Sequence, residues 1–333
     1  MSVNPDGGAE YAIIGAGIAG VAAARALADA GARGTVFEKA RGPGGRLARR
    51  RNEAGEFDHG TSSFAAGDAV FRHSLDAWCE AGAARAWSGT IVTLRGEGDH
   101  APTPGTRYVG VPGMSSLVRH LGRNLDIRYE QRVAGIERTQ QGWMLTFDDG
   151  TAAGPFTNVL LTMPAPQAVP LLAPVSPELA DAARAARMTP CWAAMLAFDG
   201  RVGVDFDGAH VDSPGPINWL ARNSSKPGRP STEAWVAHAR ADWSIEHLER
   251  SADWVADHLA GEFARLLDHH AAPVFQSAHR WRYARVDRSL GVSCLFDAGL
   301  RIGAAGDWCA GSGVDSAFHS GLSAAARMLD AGS

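Results

Sequence analysis

Residues 11–39, YAIIGAGIAGVAAARALADAGARGTVFEK, decide the fold. YAIIG predicts a buried strand, the alanine-rich stretch that ends at Gly31 predicts a helix, and GTVFEK predicts a second strand. The turn GAGIAG stands between the first strand and the helix. A strand, a glycine turn, a helix and a strand in this order predict a Rossmann-type βαβ unit.

The turn GAGIAG has the pattern GxGxxG, which is typical of dinucleotide binding. Gly15 permits the tight turn, Gly17 lets a pyrophosphate approach the backbone, and Gly20 lets the helix pack closely on the strand. Ile18 and Ala19 lie in the first turn of the helix, whose free N–H groups favour an anion. The pattern therefore predicts a dinucleotide site but does not separate NAD from FAD.

The next stretch, EKARGPGGR at 38–46, extends this site. Glu38 ends the second strand, where an acidic side chain is expected to accept hydrogen bonds from the ribose hydroxyls. Arg46 is a bidentate partner for phosphate, and Gly44 and Gly45 let the backbone approach it. The stretch resembles the second fingerprint of the FAD-dependent amine oxidase-like superfamily, which includes phytoene desaturases and protoporphyrinogen oxidases. That resemblance implies FAD.

Further stretches resemble blocks of the same superfamily. His59 and Gly60 lie in DHGT, which resembles the block beside the isoalloxazine ring, and Val133 lies in the segment that resembles the adenine-contacting strand. Two C-terminal stretches, GAAGD and GVDSA, resemble the third FAD block. The resemblance implies that Asp307 accepts hydrogen bonds from FAD hydroxyls. It also implies that a helix over 315–329 points its positive end, at Val314 and Asp315, towards the flavin.

The middle of the chain, 166–290, has proline- and glycine-rich loops between short strands such as WAAMLAF and EAWVAHA. One long helix is expected over 244–268. We therefore predict an α/β protein with a discontinuous Rossmann-type FAD-binding domain and an inserted, mainly antiparallel substrate domain. The predicted boundaries are 8–65, 109–165 and 286–331 for the FAD-binding domain, and 66–108 and 166–285 for the substrate domain.

Motifs of this middle region resemble renalase, especially its bacterial branch; they include NSSKPGRP at 223–230 and HRWRYA at 279–284. The resemblance implies a p-hydroxybenzoate hydroxylase-like fold with FAD held non-covalently. It also implies oxidation of the 2- and 6-dihydro isomers of NAD(P) to NAD(P)+, with O2 becoming hydrogen peroxide. The segment DHGTSSF departs from the DLGAQYF expected there.

The lysine content bears on the choice of donor. Many amine oxidases hold a lysine–water bridge at flavin N5, yet the 32 basic residues include only two lysines, Lys39 and Lys226, neither at an evident N5 position. A dihydronicotinamide has no proton on its ring nitrogen and needs no general base, so positioning is the main demand. The residues expected to position it, each of which can also serve structure alone, are His59, Tyr108, Asn223, Lys226, His238, Arg282 and Tyr283.

Composition limits the other classes of function. A net charge of −4 gives no sign of a nucleic-acid binder, and no apolar run approaches the ~18 residues of a membrane span. The opening MSVNPDGGAE has no secretory pattern, and four scattered cysteines predict reduced thiols in the cytoplasm without a metal site. The alternatives to the renalase-like oxidase are another flavin amine oxidase or desaturase, and a non-catalytic FAD-binding protein. The oligomeric state and the choice between NAD and NADP stay open.

Overall fold

The computed structural model describes residues 10–96 and 100–331. In chain order, its strands are β1 Glu10–Ile14, β2 Arg33–Phe37, β3 Arg50–Asn52, β4 Gly55–Phe57, β5 Phe64–Ala65, β6 Ala84–Trp87, β7 Ile91–Leu94, β8 His100–Pro102, β9 Arg107–Gly110, β10 Asp126–Arg128, β11 Val133–Arg138, β12 Trp143–Phe147, β13 Ala152–Phe156, β14 Asn158–Leu161, β15 Arg187–Phe198, β16 Gly208–Val211, β17 Ile217–Arg222, β18 Glu233–Ala239, β19 Phe275–Arg288, β20 Leu295–Asp297 and β21 Ile302–Ala304. Its α-helices are α1 Ile18–Asp29, α2 Ala69–Glu80, α3 Ser116–Leu121, α4 Ala165–Leu172, α5 Pro177–Arg184, α6 Ala241–Glu246, α7 Ala252–Leu267, α8 Asp307–Ala310 and α9 Val314–Asp330.

The chain divides into two compact units. The first contains the described residues of 1–45, 118–188 and 286–333, and the second those of 46–117 and 189–285. The predicted FAD-binding domain also took in 46–65 and 109–117, because it followed the cofactor motifs rather than the packing. Its first two residues, 8 and 9, lie outside the described residues, as do 97–99 of the predicted substrate domain. The predicted domain division stays a prediction.

The first unit is built on a six-stranded sheet in the order β10-β2-β1-β14-β21-β20. The pairs along it from β10 to β21 are parallel, and β20 adds an antiparallel edge. Strand β1 therefore lies beside both β2 and β14, which is the arrangement that brings the turn after β1 to the carboxyl end of the sheet.

The two faces of β1 follow from the alternation of its side chains. Ala12 and Ile14 pack in a core with Trp143 and Leu145 of the antiparallel sheet β11-β12-β13. Tyr11 faces the other way and donates a hydrogen bond from its hydroxyl to the carbonyl of Ala24 in α1. The parallel sheet is thus covered by a small antiparallel sheet on one face and by α1 on the other.

The second unit is built on a seven-stranded sheet in the order β19-β15-β18-β17-β16-β7-β8. The β15, β18, β17 and β16 pairings are antiparallel, and β16 pairs with β7 in parallel. Trp235 and Ala237 of β18 face a core shared with Leu259 and Phe263 of α7. Val236 faces the opposite side, where it packs against Phe57. By the same alternation, His238 lies on the face opposite α7.

Two local predictions are wrong. The segment 41–60 is rich in arginine and glycine, which predicts a loop, but β3 and β4 within it form a hairpin. The Asn52 side chain holds the turn of this hairpin by accepting hydrogen bonds from the N–H groups of Ala54 and Gly55. The predicted long helix 244–268 is two helices, α6 and α7. Ser251 caps α7 by accepting a hydrogen bond from Trp254 N, and this cap begins a new helix despite the continuous apolar spacing.

The predicted fold class is confirmed in its main features: a Rossmann-type sheet with helices, and a second sheet that is mainly antiparallel. The first unit takes strands from both ends of the chain, β1 from the start and β21 from the end. Among the described residues, no helix is long and apolar enough to cross a membrane.

Candidate functional site

The glycine turn after β1 has the geometry that each glycine predicts. Gly15 has a φ of +110°, which only glycine adopts readily. A Cβ atom at Gly20 would lie 2.1 Å from the Gly15 carbonyl oxygen, so α1 could not begin so close to β1. A Cβ atom at Gly17, the N-cap of α1, would meet no atom within 4 Å. Gly17 therefore borders open space at a helix N-terminus, where a pyrophosphate can approach the backbone.

Glu38 directly follows β2 and lies beside this turn. Its buried carboxylate accepts a hydrogen bond from Ala16 N through Oε2 and one from Ala40 N through Oε1, both at 2.8 Å. Each carboxylate oxygen can accept a second hydrogen bond, so acceptor capacity remains for a diol. The two backbone donors fix the carboxylate at the place where the ribose of a dinucleotide is expected.

Two further segments of the first unit adjoin the glycine turn. Gly44 donates from its backbone N to the Ala16 carbonyl at 2.9 Å, and a Cβ atom at Gly45 would lie 3.4 Å from Gly17 Cα. Gln131 donates from its backbone N to the Glu38 carbonyl, which places the start of β11, at Val133, close along the chain from Glu38. Gly44, Gly45 and the start of β11 thus lie beside the glycine turn or beside Glu38.

The C-terminal block reaches the same region through α9. A Cβ atom at Gly321 would lie 2.1 Å from the Ala19 carbonyl oxygen, so α9 crosses α1 near its first turn. Asp307 is buried and accepts a hydrogen bond from Trp308 N through Oδ1. Val314 and Asp315 form the first turn of α9. The first unit therefore offers the N–H groups at the N-termini of α1 and α9, the accepting carboxylates of Glu38 and Asp307, and the glycines within 15–20 and 44–45. This set fits a dinucleotide such as FAD.

Arg46 and Gly60 lie in the second unit. The Arg46 guanidinium donates to the carbonyl of Ala284 at 3.1 Å, and the Arg46 carbonyl accepts from Thr61 N at 2.8 Å. A Cβ atom at Gly60 would lie 2.1 Å from that carbonyl oxygen, so only glycine fits there. Residues 60 and 61 thus pack against and hydrogen-bond to the backbone of Arg46. The contact of the Arg46 side chain with phosphate stays a prediction.

His59 stands at the centre of an aromatic cluster. Its ring stacks on Trp281 at 5.2 Å between centroids and meets the edge of His279 at 4.8 Å. Its backbone carbonyl accepts hydrogen bonds from Trp281 Nε1 at 3.0 Å and from His238 Nε2 at 3.3 Å. The structure therefore brings two of the predicted substrate residues, His59 and His238, together with His279 and Trp281 of the HRWRYA motif, which were not among the predicted substrate residues.

These histidines are neutral at pH 7. Burial, with the neighbouring His279 and Arg50, lowers the pKa of His59 to about 4. Burial and the Arg285 charge lower the pKa of His238 to about 3, and burial also lowers that of His279. A cluster of neutral imidazoles can orient a donor ring but does not supply protons at neutral pH.

The side chains of Arg282 and Tyr283 lie on opposite faces of β19. Arg282 is exposed and pairs with Glu249 at 2.7 Å, as does Arg280 at 2.8 Å. Tyr283 alternates with Arg282 and shares the strand face of Trp281. The structure therefore separates Arg282 from the His59 cluster and leaves Tyr283 on its side of the strand.

Asn223 and Lys226 lie in a buried network around Asp58. Lys226 Nζ donates to Asn223 Oδ1 at 2.9 Å and pairs with Asp58 Oδ2 at 3.3 Å, and Arg229 donates to the same oxygen at 2.6 Å. Met114 N donates to Asp58 Oδ1. Burial lowers the pKa of Lys226 to about 8, although Asp58 opposes this shift. The predicted substrate contacts of Asn223 and Lys226 stay predictions that this burial does not favour.

Tyr108 lies on β9, where its ring stacks on Phe64 at 6.3 Å. The preceding residue, Arg107, points to the other face and contacts His210 and Trp219 of the seven-stranded sheet. His210, Trp219 and His238 form one row across β16, β17 and β18. Sequence reasoning missed the first two and Arg107; the alternating polarity of these strands was the available signal, but their pairing could not be read from it.

Comparison with known protein families identifies the family to which the chain belongs. Residues 75–329 match the family of flavin containing amine oxidoreductases, and residues 13–78 match the NAD(P)-binding Rossmann-like domain. The chain belongs to the flavin-containing amine oxidoreductase family. It is an FAD-dependent oxidoreductase, and the place of its dinucleotide site at the glycine turn of the first unit stays a prediction.

Solved structures with a similar fold match nearly the whole length of this chain. A protein described as a protoporphyrinogen oxidase from Exiguobacterium sp. 255-15 has a TM-score of 0.77 at 16% identity, covering 99% of this chain and 100% of that one. A triple mutant of putrescine oxidase, redesigned in cofactor binding, has a TM-score of 0.71 at 14% identity, covering 97% and 99%. An oxidoreductase from Methanosarcina mazei has a TM-score of 0.68 at 14% identity, covering 94% and 99%. At these identities the likeness shows the fold.

Proposed function

We propose that this flavoenzyme oxidises isomeric dihydronicotinamides, the 2- and 6-dihydro forms of NAD(P), to NAD(P)+ with O2 as the acceptor, as renalases do. The resemblance of NSSKPGRP and HRWRYA to renalase supports this choice within the family. The observation that carries it is the position of the only two lysines in the chain.

Both lysine side chains contact other groups of the protein. The Lys226 side chain is fully enclosed, and its Nζ is occupied by Asp58 and Asn223. Lys39 lies just after β2 on the surface of the first unit, with Gln167 Oε1 at 3.4 Å from its Nζ. These contacts engage Lys226 in particular, so it is a poor group for the lysine–water bridge that many amine oxidases use. We take this as support for a donor that needs no such bridge.

A dihydronicotinamide is such a donor. Its ring nitrogen carries no proton, so loss of a hydride gives an aromatic pyridinium without help from a base. FAD, when bound, supplies the acceptor for that hydride, and O2 with one further proton takes both electrons away as H2O2. The residues of the chain then have only to orient the ring, and the neutral rings of His59 and His279 beside Trp281 suit that task. FAD is held without a covalent bond in this proposal.

A second candidate is oxidation of an amine, which the family description favours. Turnover in air separates the two. We expect the purified holoenzyme to consume O2 and to form H2O2 and NAD(P)+ in equal amounts from 2- or 6-dihydro-NAD(P). Lys226→Met serves as a second probe: it should lower stability but leave the rate per bound flavin within about twofold. Turnover of amines without turnover of the dihydronicotinamides would contradict the proposal. Loss of that amine turnover in Lys226→Met would contradict it further.

A further inference from the structure

Arg107 on β9 is a half-buried cation without a carboxylate partner among the described residues. Its Nη2 lies 2.7 Å from His210 Nε2, and its guanidinium carbon lies 5.1 Å from the centre of the Trp219 ring. A guanidinium carries five N–H donors, and His210 accepts from one of them. In the part of the chain that the structure describes, no other group accepts a hydrogen bond from the guanidinium, which leaves most of its donors for another ligand.

An unpaired cation at such a place is costly. Burial lowers the pKa of Arg107, and no acidic neighbour within residues 10–96 and 100–331 opposes that shift. Buried charges in proteins are as a rule paired with a charge of opposite sign. Two other arginines of this unit have acidic partners: Arg222 pairs with Glu233 and Asp207, and Arg229 pairs with Asp58. Arg240 instead donates to the backbone carbonyls of Gly215, Val211 and Ser213.

The surroundings of Arg107 strengthen the need for an anion. Burial, Arg107 and then Arg285 lower the pKa of His210, so its ring is neutral and its Nε2 accepts from Arg107. The Arg285 charge also acts on His238, which lies in the same row across the sheet as His210 and Trp219. Two cations thus act on one face of the sheet, among neutral histidines and indole rings.

We propose that Arg107 binds a phosphate of the electron donor and determines specificity for phosphorylated donors. A planar guanidinium fork matches two phosphate oxygens, and the contact with the Trp219 ring limits the orientations that the fork can take. This inference rests on the proposed function for the identity of the donor, since a dihydronicotinamide dinucleotide carries two phosphates and the corresponding riboside carries none.

Binding to the holoenzyme tests the site without requiring turnover. Isothermal titration of the FAD-loaded protein with nicotinamide mononucleotide and with nicotinamide riboside compares two ligands that differ by one phosphate. A charge-assisted contact predicts at least about tenfold tighter binding of the mononucleotide, because hydrogen bonds between ionised partners are stronger than those between neutral groups. Arg107→Leu should remove this preference, and Arg107→Lys should keep part of it. Arg85→Leu, at an exposed arginine of the neighbouring β6, should change nothing.

Inorganic pyrophosphate separates failure of this site from failure of the proposed function. Pyrophosphate binding to the holoenzyme that Arg107→Leu weakens about tenfold, and Arg85→Leu does not, supports the site even when no dihydronicotinamide is oxidised. Equal mononucleotide and pyrophosphate binding by the wild type and Arg107→Leu, at equal flavin content and melting temperature, would overturn the inference even when dihydronicotinamide turnover is observed. Absence of pyrophosphate binding by the wild type would overturn it too.

Discussion

Glu38→Ala removes the side chain on which the mapping of the cofactor site depends most. Its carboxylate holds Ala16 N and Ala40 N at 2.8 Å each. Ala40 is exposed, so water can replace that bond, whereas Ala16 is fully buried and would keep an unsatisfied N–H group. A hydrogen bond to a charged group contributes about 1.5–3 kcal/mol, so we expect the free energy of unfolding of the apoprotein to fall by about 2–3 kcal/mol.

The same variant should bind FAD at least about tenfold more weakly, because the expected ribose contacts to a charged acceptor are lost as well. Retained FAD after extensive dialysis, and thermal unfolding of the apoprotein, measure the two effects separately. Glu137→Ala is the matched control, since Glu137 is an exposed carboxylate on β11 of the same unit. Asp307→Ala should weaken FAD retention in the same way. Full FAD occupancy in both Glu38→Ala and Asp307→Ala would refute the mapping.

Two further predictions follow from buried groups. Acid or heat should release free FAD, because burial raises the pKa of Cys309 to about 12 and that of Cys191 to about 11, which leaves no thiolate there for a covalent link; flavin that stays with the denatured protein would contradict this. Acidification from pH 7 to pH 5 should destabilise the protein by about 2 kcal/mol for each of His59 and His238, because both fold with a pKa near or below 4 and titrate near 6.5 when unfolded, so stability falls as the pH passes below 6.5. Between pH 7 and pH 5, His238→Gln should lose about 2 kcal/mol less of its free energy of unfolding than the wild type, which urea unfolding at the two pH values measures. An unchanged pH dependence would show that His238 does not cause this part of the loss.

The cofactor turn could be predicted because its constraints are local. Gly15, Gly17 and Gly20 are neighbours in sequence, and the φ of Gly15 and the close approach at Gly20 follow from a strand that turns directly into a helix. The parallel arrangement of β1 and β2 follows from the same short segment. The break between α6 and α7 was missed, since the apolar spacing continues across it and only the Ser251 cap marks the new start.

The second unit was harder to predict because its contacts join distant parts of the chain. Lys226 was read as a substrate residue from its loop, but its partner Asp58 lies 168 positions away. Arg107 meets His210 across 103 positions through the pairing of separate strands. Residue types in a loop or strand indicate which chemistry is available, whereas long-range packing decides whether a polar group is enclosed or exposed.

The central claim concerns the donor, and a stopped-flow experiment under argon tests it most directly. The FAD-loaded enzyme is mixed with 2-dihydro, 6-dihydro and 4-dihydro NAD(P) and with primary and secondary amines, and bleaching of the flavin is followed. The account predicts fastest reduction by the 2- or 6-dihydro forms. It predicts 4-dihydro forms at least about 10²-fold slower, because a pocket that positions C2 or C6 misplaces C4 by more than 1 Å. Faster reduction by any amine than by the 2- and 6-dihydro forms would contradict the account.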